Sequence, residues 1–388
     1  MHRLRQVTAG VAIAAAVAIA AASAPALADP ISSSGKAVVP ASYDIVGVGA
    51  DTDQFLFDQL SVDYNKTIPA KDHNAKHPWF FNWDATKPGS TSTAPTKISA
   101  KAGCAAITRP NGGNAGLKAL DDNTLDGKTG HYCIDFARTS SGRSSSSPAP
   151  AKGGVLYVAL AEDAVTYATR DTGATKKVPA SYAPKSLTLA QLKDIYLCTD
   201  TNWKQVGGAN QPIKAYLPQA GAATTTFWLK KLGITEPGSC VNQALEQNQG
   251  VSKQFNSPNA IFIYSVADWI AQKYHSAAIG KKPTKTQNQF GSDEVGFLGI
   301  RKIDGISPIT TAKIPSIYKG FKATGFTRTI YDIVRYSGAK NTPDHIPATL
   351  DAFFASKARH GFACSNSTAI KAIASYGFLP ILTCGSGS

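Results

Sequence analysis

Four times along this chain a short apolar run stops in a turn built of Gly, Ala, Asn, Ser or Thr, and that recurrence constrains the fold more than any other feature. In 213–232 an apolar run reaching Leu217 enters a turn at Gly221, Thr224 and Thr225. Phe227, Trp228, Leu229 and Leu232 then recur at the spacing of one buried helix face. In 43–53 the residues Tyr-Asp-Ile-Val-Gly-Val-Gly read as a buried strand, with Ala50, Asp51, Thr52 and Asp53 as turn and cap before Phe55, Leu56, Leu60 and Val62. In 110–120 a flexible turn containing Asn111 and Asn114 opens onto a helix at Leu117. In 132–143 a further strand ends in Arg138, Thr139, Ser140, Ser141, Gly142 and Arg143. The first turn of a helix carries N–H groups without intrahelical acceptors, and its dipole favours negative charge, so such turns suit an anion. The same Gly, Ala and Thr rich composition also serves helix starts that only cap themselves.

Between these sites the pattern continues. The run 154–161 is strongly strand-like, 186–196 reads as a capped amphipathic helix, and 259–264 is a buried strand leading into a helix over 265–274. Residues 97–109 read as a strand containing Cys104 and Ile107, and 296–303, 327–335, 347–358 and 367–376 alternate strand and helix character. Short apolar strands alternating with helices predict an α/β fold with mainly parallel sheets, whose ligands sit at the strand ends. Low-complexity stretches at 88–95 and 144–152 read as surface loops.

Residues 1–28 have the form of a secretory signal: a basic head at His2, Arg3 and Arg5, an Ala-rich apolar middle, and Ala26-Leu27-Ala28 before the cut. The mature chain then starts at Asp29, and about 360 residues are more than one core usually serves, which predicts two domains. No later stretch approaches the roughly 20 apolar residues of a membrane span, and no Cys beside the cleavage site offers a lipid anchor. The product is expected to be secreted, extracellular or cell-wall associated. Six cysteines at 104, 133, 198, 240, 364 and 384 form an even set in an exported chain, which favours disulfides. Nearest-neighbour pairing would join 104 with 133, 198 with 240 and 364 with 384, one of the fifteen arrangements six cysteines allow. No two stand close enough for a Cys-x-x-Cys metal knuckle.

Of 40 Lys and Arg, two lie in the signal, leaving an excess of 12 over 26 acids, a balance that attracts anions of every size. The basic residues are scattered without interleaved aromatics, which argues against a nucleic-acid interface. No Gly-x-Ser-x-Gly elbow, no His-Glu-x-x-His helix and no dense Asp/His cluster is present, so an enzyme is not expected. Neither cofactor nor metal is called for. His73 and His77 read as surface histidines beside Pro78.

The turns, in their order, resemble those of the phosphate-binding protein of bacterial phosphate ABC transporters. Val46-Gly47-Val48-Gly49-Ala50-Asp51-Thr52 resembles its first strand and turn, 111–117 its Gly-Ser-Ser-Gly-Gly helix start, and Ile134 to Ser140 its Val-Asp-Phe-Gly-Ala-Ser-Asp strand end. Gly153 to Ala159, the set Leu187, Leu192, Ile195, Tyr196 and Trp203, Pro218 to Thr226, Asn259 to Tyr264 and Gly377 to Ile381 are similar to later motifs, so the likeness runs along most of the mature chain. The resemblance departs at the ligand positions. The family arginine falls on Pro218, a turn serine on Ala222 and the carboxylate that takes the proton of hydrogen phosphate on Ser140, while Thr224 is retained. Arg138, Arg143 or Arg109 would have to restore the charge.

The resemblance implies an α/β, two-lobed, type II periplasmic-binding-protein-like fold, each lobe a mainly parallel sheet flanked by helices, with a hinge. Lobe one is expected over 30–156 plus 266–388 and lobe two over 157–265, so that no nearest-neighbour disulfide joins the lobes. The function expected is a secreted monomeric solute-binding protein that closes on phosphate or a related oxyanion, with an ABC permease as partner. The alternative is a divergent relative that binds a different small molecule or acts in cell-surface contact. The ligand-binding residues expected are Asp51, Thr52, Asn111, Asn114, Arg138, Thr139, Ser140, Gly221, Thr224 and Thr225.

Overall fold

The computed structural model describes residues 29–30, 38–88, 90–122, 124–144, 154–219, 222–275, 294–336, 348–354 and 358–387. The expected signal, 1–28, the turn residue Gly221 and most of the 144–152 loop lie outside the described residues. In chain order the strands are β1 (Ile45–Gly49), β2 (Phe80–Asn82), β3 (Lys97–Ile98), β4 (Ile107–Thr108), β5 (Phe136–Thr139), β6 (Gly154–Arg170), β7 (Ser186–Leu187), β8 (Lys214–Pro218), β9 (Asn242–Leu245), β10 (Ala260–Ser265), β11 (Leu298–Ile300), β12 (Lys302–Ile303), β13 (Thr327–Tyr336) and β14 (Leu379–Pro380). The helices are α1 (Gln54–Asn65), α2 (Gly113–Asp121), α3 (Leu189–Tyr196), α4 (Ala223–Leu232), α5 (Val266–Tyr274), α6 (Ala348–Phe354), α7 (Gly361–Ser365) and α8 (Ser367–Ser375).

One mixed sheet carries the molecule in the order β2-β1-β5-β13-β6-β10-β8-β9, with β11 and β14 also pairing to β6. Its outer groups, β2-β1-β5 and β10-β8-β9, are parallel, as the alternation of strand and helix predicts. Between them β13 and β6 run antiparallel to their neighbours. The first part of β6 pairs with β13 from Gly154 to Ala164, and its last part pairs with β10 from Val165 to Thr169. β6 is therefore the strand shared by both groups, and all of its 17 residues are buried.

The strands of the first group are covered on both faces, which is why β1 is apolar throughout. Ile45 packs with Phe57, Phe80, Phe136 and Phe353 in one core, whereas Val46 and Val48 pack with Phe81, Ile98, Leu120 and Ile134 in the other. Alternation of side chains along the strand produces this division. Helix α3 begins in a full capping box, in which Thr188 accepts from the backbone of Gln191 and the Gln191 side chain returns the bond.

Several local expectations change. The strand expected over 97–109 is a hairpin of β3 and β4, with Cys104 in the connection, where its bond to Cys133 holds it. The strand expected over 132–137 begins at Phe136: the Asp135 backbone donates to the Val46 carbonyl at 2.8 Å, while its side chain takes the Val46 N–H and pairs with buried Lys101. The strand over 154–161 continues to Arg170, since β10 and β11 supply pairing partners for its second part. His73 is not a free surface histidine: Nε2 lies 2.6 Å from Asp44 and the ring stacks on Trp79. The three disulfides are Cys104–Cys133, Cys198–Cys240 and Cys364–Cys384, the nearest-neighbour set.

Candidate functional site

The carboxyl ends of two parallel pairs, β1 with β5 and β8 with β9, converge. β1 delivers Ala50 and Asp51, β5 delivers Ser140, β8 delivers Gln219, and β9 delivers Glu246 and Gln247. Between them lies a cavity of 240 Å³ walled by Asp51, Ser140, Gln219 and Gln247, together with the starts of α2 and α4. Crevices outside strand ends are where open α/β sheets bind ligands.

Helix α2 contributes Gly113, Asn114 and Ala115, and α4 contributes Ala223 after Ala222. Neither start is capped by a side chain, so the first-turn N–H groups of two helices face the cavity region without that partner. α2 reaches this position because its glycines permit close approach. A Cβ at Gly113 would lie 2.4 Å from Thr139 Oγ1, and one at Gly116 would lie 2.8 Å from the Gly49 Cα. The Ser140 side chain, 4% exposed, also borders the cavity, and its Oγ has no hydrogen-bond partner.

Two carboxylates stand against these donors. Glu246 is buried and accepts from Asn111 Nδ2 at 3.1 and 3.2 Å, from Gln219 Nε2 at 2.9 Å and from the Gln247 backbone at 3.2 Å. Asp51 accepts from Gln247 Nε2 and, at 3.1 Å, from Asn248 Nδ2. Burial pushes the Asp51 carboxyl up to about 7, helped by the charge of Glu246 and opposed by that of Arg328. Burial likewise raises Glu246, against the hydrogen bonds from Asn111 and Gln219.

The arginine at the strand junction is Arg328 on β13. Its Nη2 donates to Thr224 Oγ1 at 3.0 Å, to Thr52 Oγ1 at 3.4 Å and to Asp163 Oδ2 at 3.1 Å, while Nη1 is buried without a partner. Asp163 faces Arg328 across the β6–β13 ladder and is fully buried. Burial lifts its carboxyl despite that pairing.

The expected residues divide accordingly. Asp51, Asn111, Asn114 and Ser140 border the cavity, and Thr52 and Thr224 are drawn together behind it by Arg328. Arg138 does not supply charge to the cavity. Its Nε and Nη2 donate to the carbonyls of Ala50 and Trp83, and Nε lies 3.6 Å from Asp53. The β1–β5 register, which sets Arg138 opposite Gly49, directs it there. Thr139 accepts from the Ser141 backbone, and Thr225 donates to the Pro218 carbonyl and borders a separate groove with Leu229 and Lys230. Arg109 is held by Asp29, and Arg143 donates to the Val155 carbonyl. Gly221 lies outside the described residues. Glu246, Gln247 and Gln219 were not expected from the sequence. The unbroken polar run Glu-Gln-Asn-Gln at 246–249, placed straight after a strand, is the signal that could have marked them.

Among the described residues no group of three His, Cys, Asp or Glu side chains could hold a metal ion, and no helix is long and apolar enough to cross a membrane.

Residues 85–341 match the family model described as the PBP superfamily domain. No curated protein matches the sequence. Among solved structures the chain is similar to a protein described as a phosphate ABC transporter substrate-binding protein with bound phosphate from Clostridium perfringens. That match has 14% identity, 87% of this chain and 99% of that chain covered, and a TM-score of 0.51. It is also similar to an ABC-type phosphate transport receptor from Vibrio cholerae, with 16% identity, the same coverages and a TM-score of 0.48. A phosphate-binding protein from Stenotrophomonas maltophilia matches at 14% identity, with 88% and 91% covered and a TM-score of 0.47.

Proposed function

The chain belongs to the PBP superfamily, and on that premise we propose that it is a secreted, non-enzymatic solute-binding protein that closes two lobes on a small solute bearing an oxyanion, with phosphate as the simplest member of that class. One observation carries the reading. The uncapped starts of α2 and α4 meet at one 240 Å³ cavity beside the unpartnered hydroxyl of Ser140. Backbone N–H groups and helix dipoles are a ready-made anion site, and two of them converging from different parts of the sheet make the arrangement specific.

With lobe one over 30–156 plus 266–388 and lobe two over 157–265, the contacts Asn111–Glu246, Asp51–Asn248 and Arg328–Thr224 all bridge the lobes. Each disulfide lies within one lobe, which leaves a hinge free to open. Export rests on the signal at 1–28. Asp29, the first residue after the cut, is anchored by Arg109 at 2.6 Å. The chain acts as a monomer that delivers solute to an ABC permease, and it needs no cofactor.

Titration calorimetry of the mature chain against inorganic phosphate, sulfate and small phosphate monoesters tests the reading: binding of at least one is expected, and heat-silent titrations with all of them would sink it. A second reading, a solute other than bare phosphate, is favoured by Asp51 and Glu246, two buried acids whose hydrogen bonds come from neutral amides.

A further inference from the structure

We propose that the solute is zwitterionic: its oxyanion sits at the starts of α2 and α4 with Ser140, and an ammonium or similar cationic N–H donor on the same molecule sits against Asp51 and Glu246. This rests on the solute-binding reading above and narrows the ligand class.

The cavity region offers groups of both kinds. Its donors are the uncapped N–H groups and the buried, unpartnered Ser140 hydroxyl. Its acceptors stand beside them. Asp51 borders the cavity directly, Glu246 is held beside it by Asn111 and Gln219, and the buried Gln219 Oε1 has no donor. The cation whose charge reaches Asp51, Arg328, gives its Nε and Nη2 to Asp163, Thr52 and Thr224, and its Nη1 has no partner. Among the described residues the hydrogen bonds to the two acids come from side-chain amides and backbone N–H groups, which are neutral donors. A ligand ammonium would add an opposite charge beside acids that now have neutral donors, and would offset the burial, and with it the charge of Glu246, that raise the Asp51 carboxyl.

Size agrees. At ~30 Å³ per water a cavity of 240 Å³ holds on the order of eight waters, more than a bare tetrahedral oxyanion displaces. A short linker bearing one amino group fits the remainder.

The test is calorimetry on the wild-type mature chain at pH 8 with four probes: inorganic phosphate, ethyl phosphate, 2-aminoethyl phosphate and 3-aminopropanoate. An aminoethyl phosphate at least about tenfold tighter than ethyl phosphate, the scale of one charge-assisted hydrogen bond, is the expected result. Preferential binding of 3-aminopropanoate would support the same class with a carboxylate as the oxyanion. Ethyl phosphate binding as tightly as its amino counterpart would overturn the inference and leave the oxyanion-binding function standing. Silence with all four would overturn both. In Glu246→Gln and Asp51→Asn the ratio of aminoethyl phosphate affinity to ethyl phosphate affinity should shrink, and an unchanged ratio in a folded variant would count against the inference. The wild-type comparison decides the question even if a variant fails to fold.

Discussion

Removing Arg328 should cost more stability than any surface substitution, and most of that cost should return when Asp163 is removed as well. In Arg328→Leu the Asp163 carboxylate loses Nε at 3.2 Å and Nη2 at 3.1 Å, in a setting where the two side chains are 4% and 0% exposed. Thr52 and Thr224 lose their shared donor too. Breaking a buried pair by deleting one partner typically costs about 3–5 kcal/mol, because an uncompensated charge remains. Asp163 keeps the Ser265 hydroxyl at 2.9 Å and the Ala267 N–H at 3.3 Å, which places the expectation at the lower end, about 3 kcal/mol. Asp163→Leu strands the arginine and those two donors and should cost a similar amount. In the double variant neither charge remains, so its loss should fall short of the sum of the singles by about 2 kcal/mol, within the range seen for contacting residues. Urea unfolding at pH 8, with midpoints and slopes fitted together, measures all four corners of this cycle. An Arg328→Leu protein within about 1 kcal/mol of wild type, or strict additivity in the double variant, would refute the claim that this pair is the electrostatic joint between β6 and β13.

Acidity gives a second expectation. Burial pushes the carboxyls of Asp51 and Asp53 from 3.8 to about 7, opposed at Asp51 by Arg328 and at Asp53 by Arg138. Between about 4 and 7 the folded chain therefore holds protons that the unfolded chain has released, so stability falls as pH rises through that window. A ligand-free thermal melt should give a higher Tm at pH 5 than at pH 8, and a flat or rising Tm from pH 5 to 8 would count against it. The third concerns Cys198–Cys240, which closes a loop between residues 42 apart. By loop entropy the paired substitution of both by Ala should cost about 4 kcal/mol, read as a lower urea midpoint, and an unchanged midpoint would contradict it.

Much of the fold was legible because it is written in local chemistry. Apolar runs closing in small-residue turns predict strand ends and helix starts, and β1, α2, β8 and α4 lie where those patterns put them. The even cysteine set and its nearest-neighbour pairing rest on short separations along the chain. The antiparallel centre was not legible. Nothing in the composition of 154–170 or 327–336 states that they pair with each other, since strand partners are chosen by topology and both segments are simply apolar with a few charges.

The site divides along the same line. Asp51, Asn111, Asn114 and Ser140 were readable because each lies in a turn whose backbone geometry follows from its own neighbours. Which way an arginine points was not readable, because side chains alternate across a strand and the face is set by register. Register turned Arg138 into the protein and set Arg328 opposite Asp163. That pairing carries Arg328 to Thr52, 276 residues away in sequence. Glu246 met Asn111 across a separation of 135 residues for the same reason. The sequence alone determined that anion-ready turns exist and in what order. Only the tertiary structure decided that two of them share a cavity with Asp51 and stand beside Glu246, because burial and charge at a site depend on what packs against it from elsewhere in the chain.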